Sequence, residues 1–327
     1  MFTLPKWHAA LAVLLAMAAI GNAAAQTRMR LWVIHPDDYP VTIAARSFAS
    51  EVGKKSGGRI QIDVIGTDVI RDQAEAQKML KDGKLEMGEF NLAMLSEAVP
   101  SMKALNLPFL FSDSKHMFSL LDGEMGRTFE RRLGEVGFVN LGWYDGGSRS
   151  FYCAGVKLAS PRDFKGLRIR VIGSEVFKEM ASHLGATPVS IPYKDVAAAF
   201  ERKEIDCAEN NLPSFVSSGH YKYAKHMLLT DHMVLPEALI IGAASWKKFG
   251  KEDQALIADE GRKSALLMRE LWNRRVEESR AIAVKAGVTF DRPLDFGSYL
   301  SRMKPLHQKY WKDPEMRTEL VAILSNR

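Results

Sequence analysis

The 327 residues carry 45 Lys and Arg against 39 Asp and Glu, a formal charge of +6, with 46% hydrophobic and 26% charged residues. That balance is globular rather than disordered. Basic residues are scattered, with no run of five and no basic stripe interleaved with aromatics, so nucleic acid is a poor candidate partner, while a mildly positive field suits a small anion.

In chain order, the first feature is an export signal. Lys6 precedes the apolar run Ala9 to Ile20, and Asn22-Ala23-Ala24-Ala25 supplies a small-residue cleavage site near Ala25. The run is too short for a membrane anchor, which needs roughly 20 apolar residues. The remainder is long enough for two ordinary domains. A strand is expected over Met29 to Ile34, then a helix from Pro40 to Val52, since Pro is favoured at a first helical position. Lys54 to Gly58 ends it. Arg59 to Ile65 alternates apolar and polar residues as a strand does. A helix over Arg71 to Lys81 and a strand near Leu85 to Leu92 complete a β-α-β-α-β run, the pattern of a mainly parallel sheet covered by helices.

The pattern resumes later in the chain. Phe138 to Tyr144 and Arg149 to Ala154 read as strands broken by Asp145-Gly146-Gly147, and Leu167 to Ile172 as another. Helices are expected over Ser174 to Leu184 and Tyr193 to Arg202, and strands over Ile205 to Glu209 and Met233 to Ala244. No Ser/Gly/Pro-rich linker separates the two α/β units, which predicts several crossings between them. Glu252 to Ala286 contains no proline and only Gly261 against a helical composition; such a helix is bent or acts as a spine against both units.

Chemistry-bearing motifs are absent: no G-x-S-x-G, H-E-x-x-H, G-x-G-x-x-G after a strand, or phosphate loop. No cofactor is called for. His35-Pro36-Asp37-Asp38 is too sparse a donor set to assign a metal. Cys153 and Cys207 can pair in an oxidising compartment, but sequence supplies no bridge geometry. His220, His226 and His232 recur every six residues, fall on different faces of any one helix, and are read as structural or surface residues.

Between Arg149 and Pro236 the sequence becomes specific. It runs Gly147-Ser148-Arg149-Ser150-Phe151-Tyr152, then Phe164-Lys165-Gly166-Leu167-Arg168-Ile169-Arg170-Val171, Leu184-Gly185-Ala186, Ile191-Pro192-Tyr193-Lys194-Asp195-Val196 and Ile205-Asp206-Cys207-Ala208-Glu209-Asn210-Asn211. This order and spacing resemble the DctP-type solute-binding proteins of tripartite ATP-independent periplasmic (TRAP) transporters. The resemblance continues in Ser56-Gly57-Gly58-Arg59-Ile60, Leu107-Pro108-Phe109-Leu110-Phe111 and Leu229-Thr230-Asp231-His232, and spans nearly the whole chain after the signal. It implies a two-lobed α/β binding protein in the periplasm, monomeric, that performs no chemistry. Such a protein captures a small organic acid and passes it to membrane permease subunits driven by an ion gradient. Residues 26–147 with about 233–272 are expected to form one lobe, and 148–232 with about 273–327 the other.

In that family an arginine of the G-L-K-I-R-V strand grips the ligand carboxylate, and Arg170 matches it. A second arginine matches Arg149, and the asparagine of the D-x-x-E-N segment matches Asn210. The physical logic is that a guanidinium offers parallel N–H donors to the two carboxylate oxygens. A narrower resemblance, in His35-Pro36-Asp37-Asp38-Tyr39-Pro40 and Ala208-Glu209-Asn210-Asn211, is to the subgroup that binds hexuronates such as glucuronate and galacturonate. It makes His35, Asp38, Asn91 and Glu209 candidate partners for sugar hydroxyls. Two positions depart from the subgroup: Glu89 stands where it often has a basic residue, and Phe215 where tyrosine is usual. An acidic residue there disfavours a second negative charge on the ligand; phenylalanine removes a hydroxyl partner. Another sugar acid or a less hydroxylated monocarboxylate therefore stays open. Two rival readings are a sensor subunit presenting ligand to a membrane kinase, and a periplasmic enzyme using Glu89 and Glu209 as an acid–base pair.

Overall fold

A computed structural model describes residues 26–326, so the export signal read over residues 1–25 lies outside the described residues. The described chain begins β1 (Thr27–Trp32), α1 (Pro40–Lys55), β2 (Ile60–Ile65), α2 (Gln73–Lys81) and β3 (Met87–Asn91), and β1 pairs in parallel with both β2 and β3. Pro40 opens α1, which buries Ala44, Ala45, Phe48 and Val52 and runs a turn beyond Val52 before Ser56 ends it. Helices α3 (Ser114–Leu121) and α4 (Glu124–Glu135) lead into β4 (Phe138–Cys153). A second parallel set follows: β5 (Arg168–Val171), α5 (Glu175–His183), β6 (Thr187–Ser190), α6 (Val196–Glu201), β7 (Cys207–Asn211) and α7 (Leu212–Ser217). The chain closes with β8 (His226–Gly242), α8 (Lys251–Lys285), β9 (Thr289–Asp291), α9 (Phe296–Trp311) and α10 (Pro314–Ser325). Among the described residues, nine strands form one mixed sheet in the order β2-β1-β3-β8-β4-β7-β5-β6, with β9 alongside β8.

Two long antiparallel strands, β4 and β8, join the two parallel sets. The break expected at Asp145-Gly146-Gly147 is instead a bulge within β4, where the register with β8 slips between Asp145 and Ser148. The Asp145 carboxylate accepts from Gly147 N at 2.8 Å. Gly147 has φ 70°, and a Cβ there would lie 2.4 Å from the Trp272 ring. Residues with turn chemistry here bend a continuous strand past a neighbouring helix. β8 likewise starts at His226 rather than Met233. Cys153 lies opposite Cys207 in the β4–β7 register, and the two form a disulfide.

At 1.5 Å per residue α8 spans about 50 Å, and it is the spine expected. It packs against α1 and β4, then against α7. Ile257, Ala265, Met268 and Trp272 share a core with α1, whereas Ala283 lies in a second core with Phe215. Gly261 does not interrupt the helix. A Cβ there would come within 2.7 Å of the Leu141 Cβ and carbonyl oxygen, so only glycine lets helix and strand approach this closely. The third core joins Trp32 of the first parallel set to Ile169 of the second and to Tyr299, Leu306 and Ile323 of the last two helices. Helix α10 packs on the segment Pro100–Asn106, with Arg132 Nη1 2.8 Å from Glu319 Oε1. Its Met316, Leu320 and Ile323 lie in the core that both parallel sets share. Among the described residues no helix is long and apolar enough to cross a membrane.

Candidate functional site

In both parallel sets the strands point their carboxyl ends at one crevice, the usual place for a ligand in an open α/β sheet. Residues at or just past the carboxyl ends of β1, β3, β5, β6 and β7 meet there with Glu237 of β8 and Arg149 of β4, around a narrow space of about 40 Å³ that is partly open to solvent. Ile34, His35 and Tyr193 also border a larger outer cleft of about 720 Å³.

Arg170 sits on β5 and is 5% exposed. Its Nε donates to Ile191 O at 2.9 Å, and no carboxylate among the described residues pairs with it. Burial pulls its pKa down; Arg149 adds to that and Glu209 opposes it. The guanidinium nonetheless stays charged at any ordinary pH. Arg168, two residues earlier, is held at the rim by Asp206 at 3.0 and 2.7 Å.

Arg149 also borders the cavity, but its donors are committed within the protein. Nε and Nη2 reach Glu209 Oε2 and Oε1 at 2.6 and 2.9 Å, Nη2 reaches Glu209 O at 2.9 Å, and Nη1 reaches Asn210 Oδ1 at 2.7 Å. Glu209 is fully buried behind this arginine and does not line the cavity. Although burial pushes its pKa up, Arg149 and then His232, 3.5 Å away, hold it below the usual carboxylate range. Arg149 and Glu209 thus neutralise one another, and the uncompensated charge of the crevice is Arg170. Asn210 lines the cavity; its Oδ1 is used by Arg149 and by Asn211 N, and its Nδ2 has no acceptor among the described residues.

The remaining expected residues divide. His35 and Asn91 line the cavity. His35 stacks on Tyr39 at 3.8 Å, and burial, then the Arg149 charge, lowers its pKa to about 3, so the ring is neutral. Asn91 Oδ1 caps the following helical turn at Met94 N. Asp38 is exposed and turned outward to Arg275 at 2.9 Å, so it is not in the cavity. Phe215 is fully buried in core packing, 4.6 Å from the Tyr152 ring; its lack of a hydroxyl takes nothing from the cavity. Glu89 lies beneath the wall, where burial raises its pKa to about 8. Glu89 and Glu209 therefore do not face one another across a substrate space. The residues sequence missed are Gln73, Tyr193, Asn211, Ser214 and Glu237. Tyr193 lies in a motif already singled out. Glu237 was signalled only by a carboxylate inside the otherwise apolar run Leu235 to Ile241.

A mixed sheet whose parallel sets share crossing strands and enclose a charged crevice defines the class of extracytoplasmic solute-binding proteins. Residues 33–313 match the DctP model, bacterial extracellular solute-binding protein family 7, and the chain belongs to that family. A solute-binding protein of Chromohalobacter salexigens is 32% identical over 96% of this chain and 94% of its own. Among solved structures, a TRAP periplasmic solute-binding protein from the same organism with bound D-glucuronate superposes with a TM-score of 0.89, at 32% identity over 91% of this chain and 100% of that one. One from Bradyrhizobium sp. BTAi1, in complex with α/β-D-galacturonate, gives 0.88 at 34% identity over 91% and 99%. The TRAP resemblance and the mixed α/β fold read from the sequence are thereby established.

Proposed function

We propose that this protein captures a hexuronate, D-glucuronate or D-galacturonate, in the crevice and delivers it unchanged to the membrane subunits of a TRAP transporter. The observation that carries the reading is Arg170: a buried guanidinium at a cavity wall with no internal carboxylate. Desolvating a lone charge is costly, so an anion that neutralises it gains strongly. Asn210 Nδ2, Asn91, His35 and Tyr193 offer uncharged polar groups for hydroxyls. The bound uronates of the two similar structures support that ligand class. The commitment of Glu209 to Arg149 argues against acid–base chemistry, since a carboxyl held ionised out of the cavity has no proton to give. Export to the periplasm, a monomeric state and approach of the two parallel sets on the ligand belong to the same reading. Titration calorimetry with D-glucuronate and D-galacturonate tests it. Both or either should bind, and Arg170→Ala should lose about 2–5 kcal/mol, as for truncating one partner of a buried charge pair. Undiminished affinity in that variant would remove Arg170 from the site.

A further inference from the structure

Among the described residues Glu237 is the one carboxyl bordering the cavity, and it does not stand alone. Asn91 is its direct partner across the β3–β8 ladder, and Glu89, two residues earlier on β3, projects from the same face. Tyr144 is its partner on the β4 side. Glu237 is 7% exposed and Glu89 1%. As ionised groups they are badly placed: both Glu89 oxygens and Oε2 of Glu237 are buried without a donor. A proton on one side chain supplies the missing hydrogen bond, from one carboxyl to the other. Charged or titratable groups face the pair from every neighbouring element. Asp145, Tyr144 and Arg149 come from β4, and Tyr39 lies just before α1. Arg149, already occupied by Glu209, is the only cation among them. Burial, then Glu89 and then Asp145 push the Glu237 pKa well above the carboxylate range, with only Arg149 opposing.

We propose that Glu237, backed by Glu89, is a specificity residue of this cavity: it meets the uncharged, hydroxylated end of a monoanionic ligand as a neutral carboxyl, excludes a second carboxylate there, and makes ligand capture proton-linked. The inference rests on the uronate reading and deepens it. An anion on Arg170 and an ionised Glu237 would share one crevice between low-dielectric walls, where repulsion is stronger than in bulk water. Holding the proton relieves that repulsion, and by reciprocity a bound anion strengthens the hold on the proton. Glu89 acts through Glu237 and is a positioning residue.

Titration calorimetry of D-glucuronate from pH 6 to 9, in buffers of different ionisation enthalpy, reads the linkage. The wild type should weaken above pH 8 by up to about tenfold per pH unit, the limit for one proton, and take up a proton on binding there. Glu89→Gln and Glu237→Gln should each flatten the profile. D-Glucarate, which adds a second carboxylate, should bind far more weakly to the wild type. Tight uronate binding with a flat wild-type profile, or a slope kept in both variants, overturns the inference while leaving the ligand reading intact. If no uronate binds at any pH, that reading falls instead. The carbonyl stretch of a protonated carboxyl in the infrared spectrum of the free protein at pH 7 then decides the proton: its presence, and loss in the Glu89→Gln, Glu237→Gln double variant, supports the pair; its absence, or its persistence undiminished in the double variant, overturns it.

Discussion

Arg149 and Arg170 are two guanidiniums on strands β4 and β5 of one sheet, bordering one crevice with opposite fates. Arg149 is neutralised by a buried carboxylate, and removing either member strands the other. Glu209→Ala should therefore cost about 3–5 kcal/mol of stability in denaturant melts. Arg170 has no internal counter-charge, so Arg170→Met should leave the free protein as stable as the wild type or more so, while abolishing uronate binding. Loss of several kcal/mol in Arg170→Met would mean that the side chain holds the fold together rather than a ligand. The motif identified both arginines but not this division. Strand alternation places a side chain on a face; it does not say whether the guanidinium reaches across a neighbouring strand to Glu209. A related ambiguity covers Asp38 and Phe215: sequence adjacency to a motif does not tell a loop residue turned to Arg275, or a ring turned into a core, from one turned into a cavity.

At the scale of elements, most of what was legible came from alternation and helical spacing. The strand over Ile60–Ile65, the helix from Pro40 and the 35-residue α8 all follow from such patterns. What was not legible were glycines with a tertiary purpose. Asp145-Gly146-Gly147 has the composition of a turn, but Trp272 across the interface makes it a bulge. Gly261 looks like a weak point in a helix, yet it is where the helix comes close against Leu141 of β4. Two substitutions separate intrinsic propensity from packing. Gly134→Ala, in α4 with no atom within 4 Å of the new methyl, should stabilise by about 0.5–1 kcal/mol. Gly261→Ala gains the same propensity but drives a methyl into the Leu141 backbone, and should destabilise by about 1–3 kcal/mol net. Urea melts of the two proteins would read opposite signs; the same sign would refute the close-approach argument.

For the whole molecule, the buried titratable groups set a stability profile with two slopes. His35 and His220 have pKa values lowered to about 3, chiefly by burial, and that of His232 is lowered too. Below pH 6.5 the unfolded chain binds protons these rings refuse, so stability falls as pH drops from 6.5 towards 3. Glu89 acts in the reverse sense. Its folded pKa near 8 lies above the unfolded 4.5, so its contribution is complete below pH 4.5 and is lost as pH rises to 8. Between pH 6.5 and 8 the histidines contribute no slope, and the melting temperature should decline. The Glu89→Gln, Glu237→Gln double variant should make that decline shallower. A profile as steep in the double variant as in the wild type would refute the assignment.

Strands β4 and β8 each run unbroken from one parallel set into the other, with α8 lying along both. The molecule is therefore indivisible in a way that beads-on-a-string proteins are not. A gene split inside either strand would give fragments each holding a frayed half-ribbon, soluble only if they find one another again. Neither part could serve as a detached sugar-acid reagent, and a biosensor built on this scaffold should insert its reporter in a surface loop rather than between the two sets.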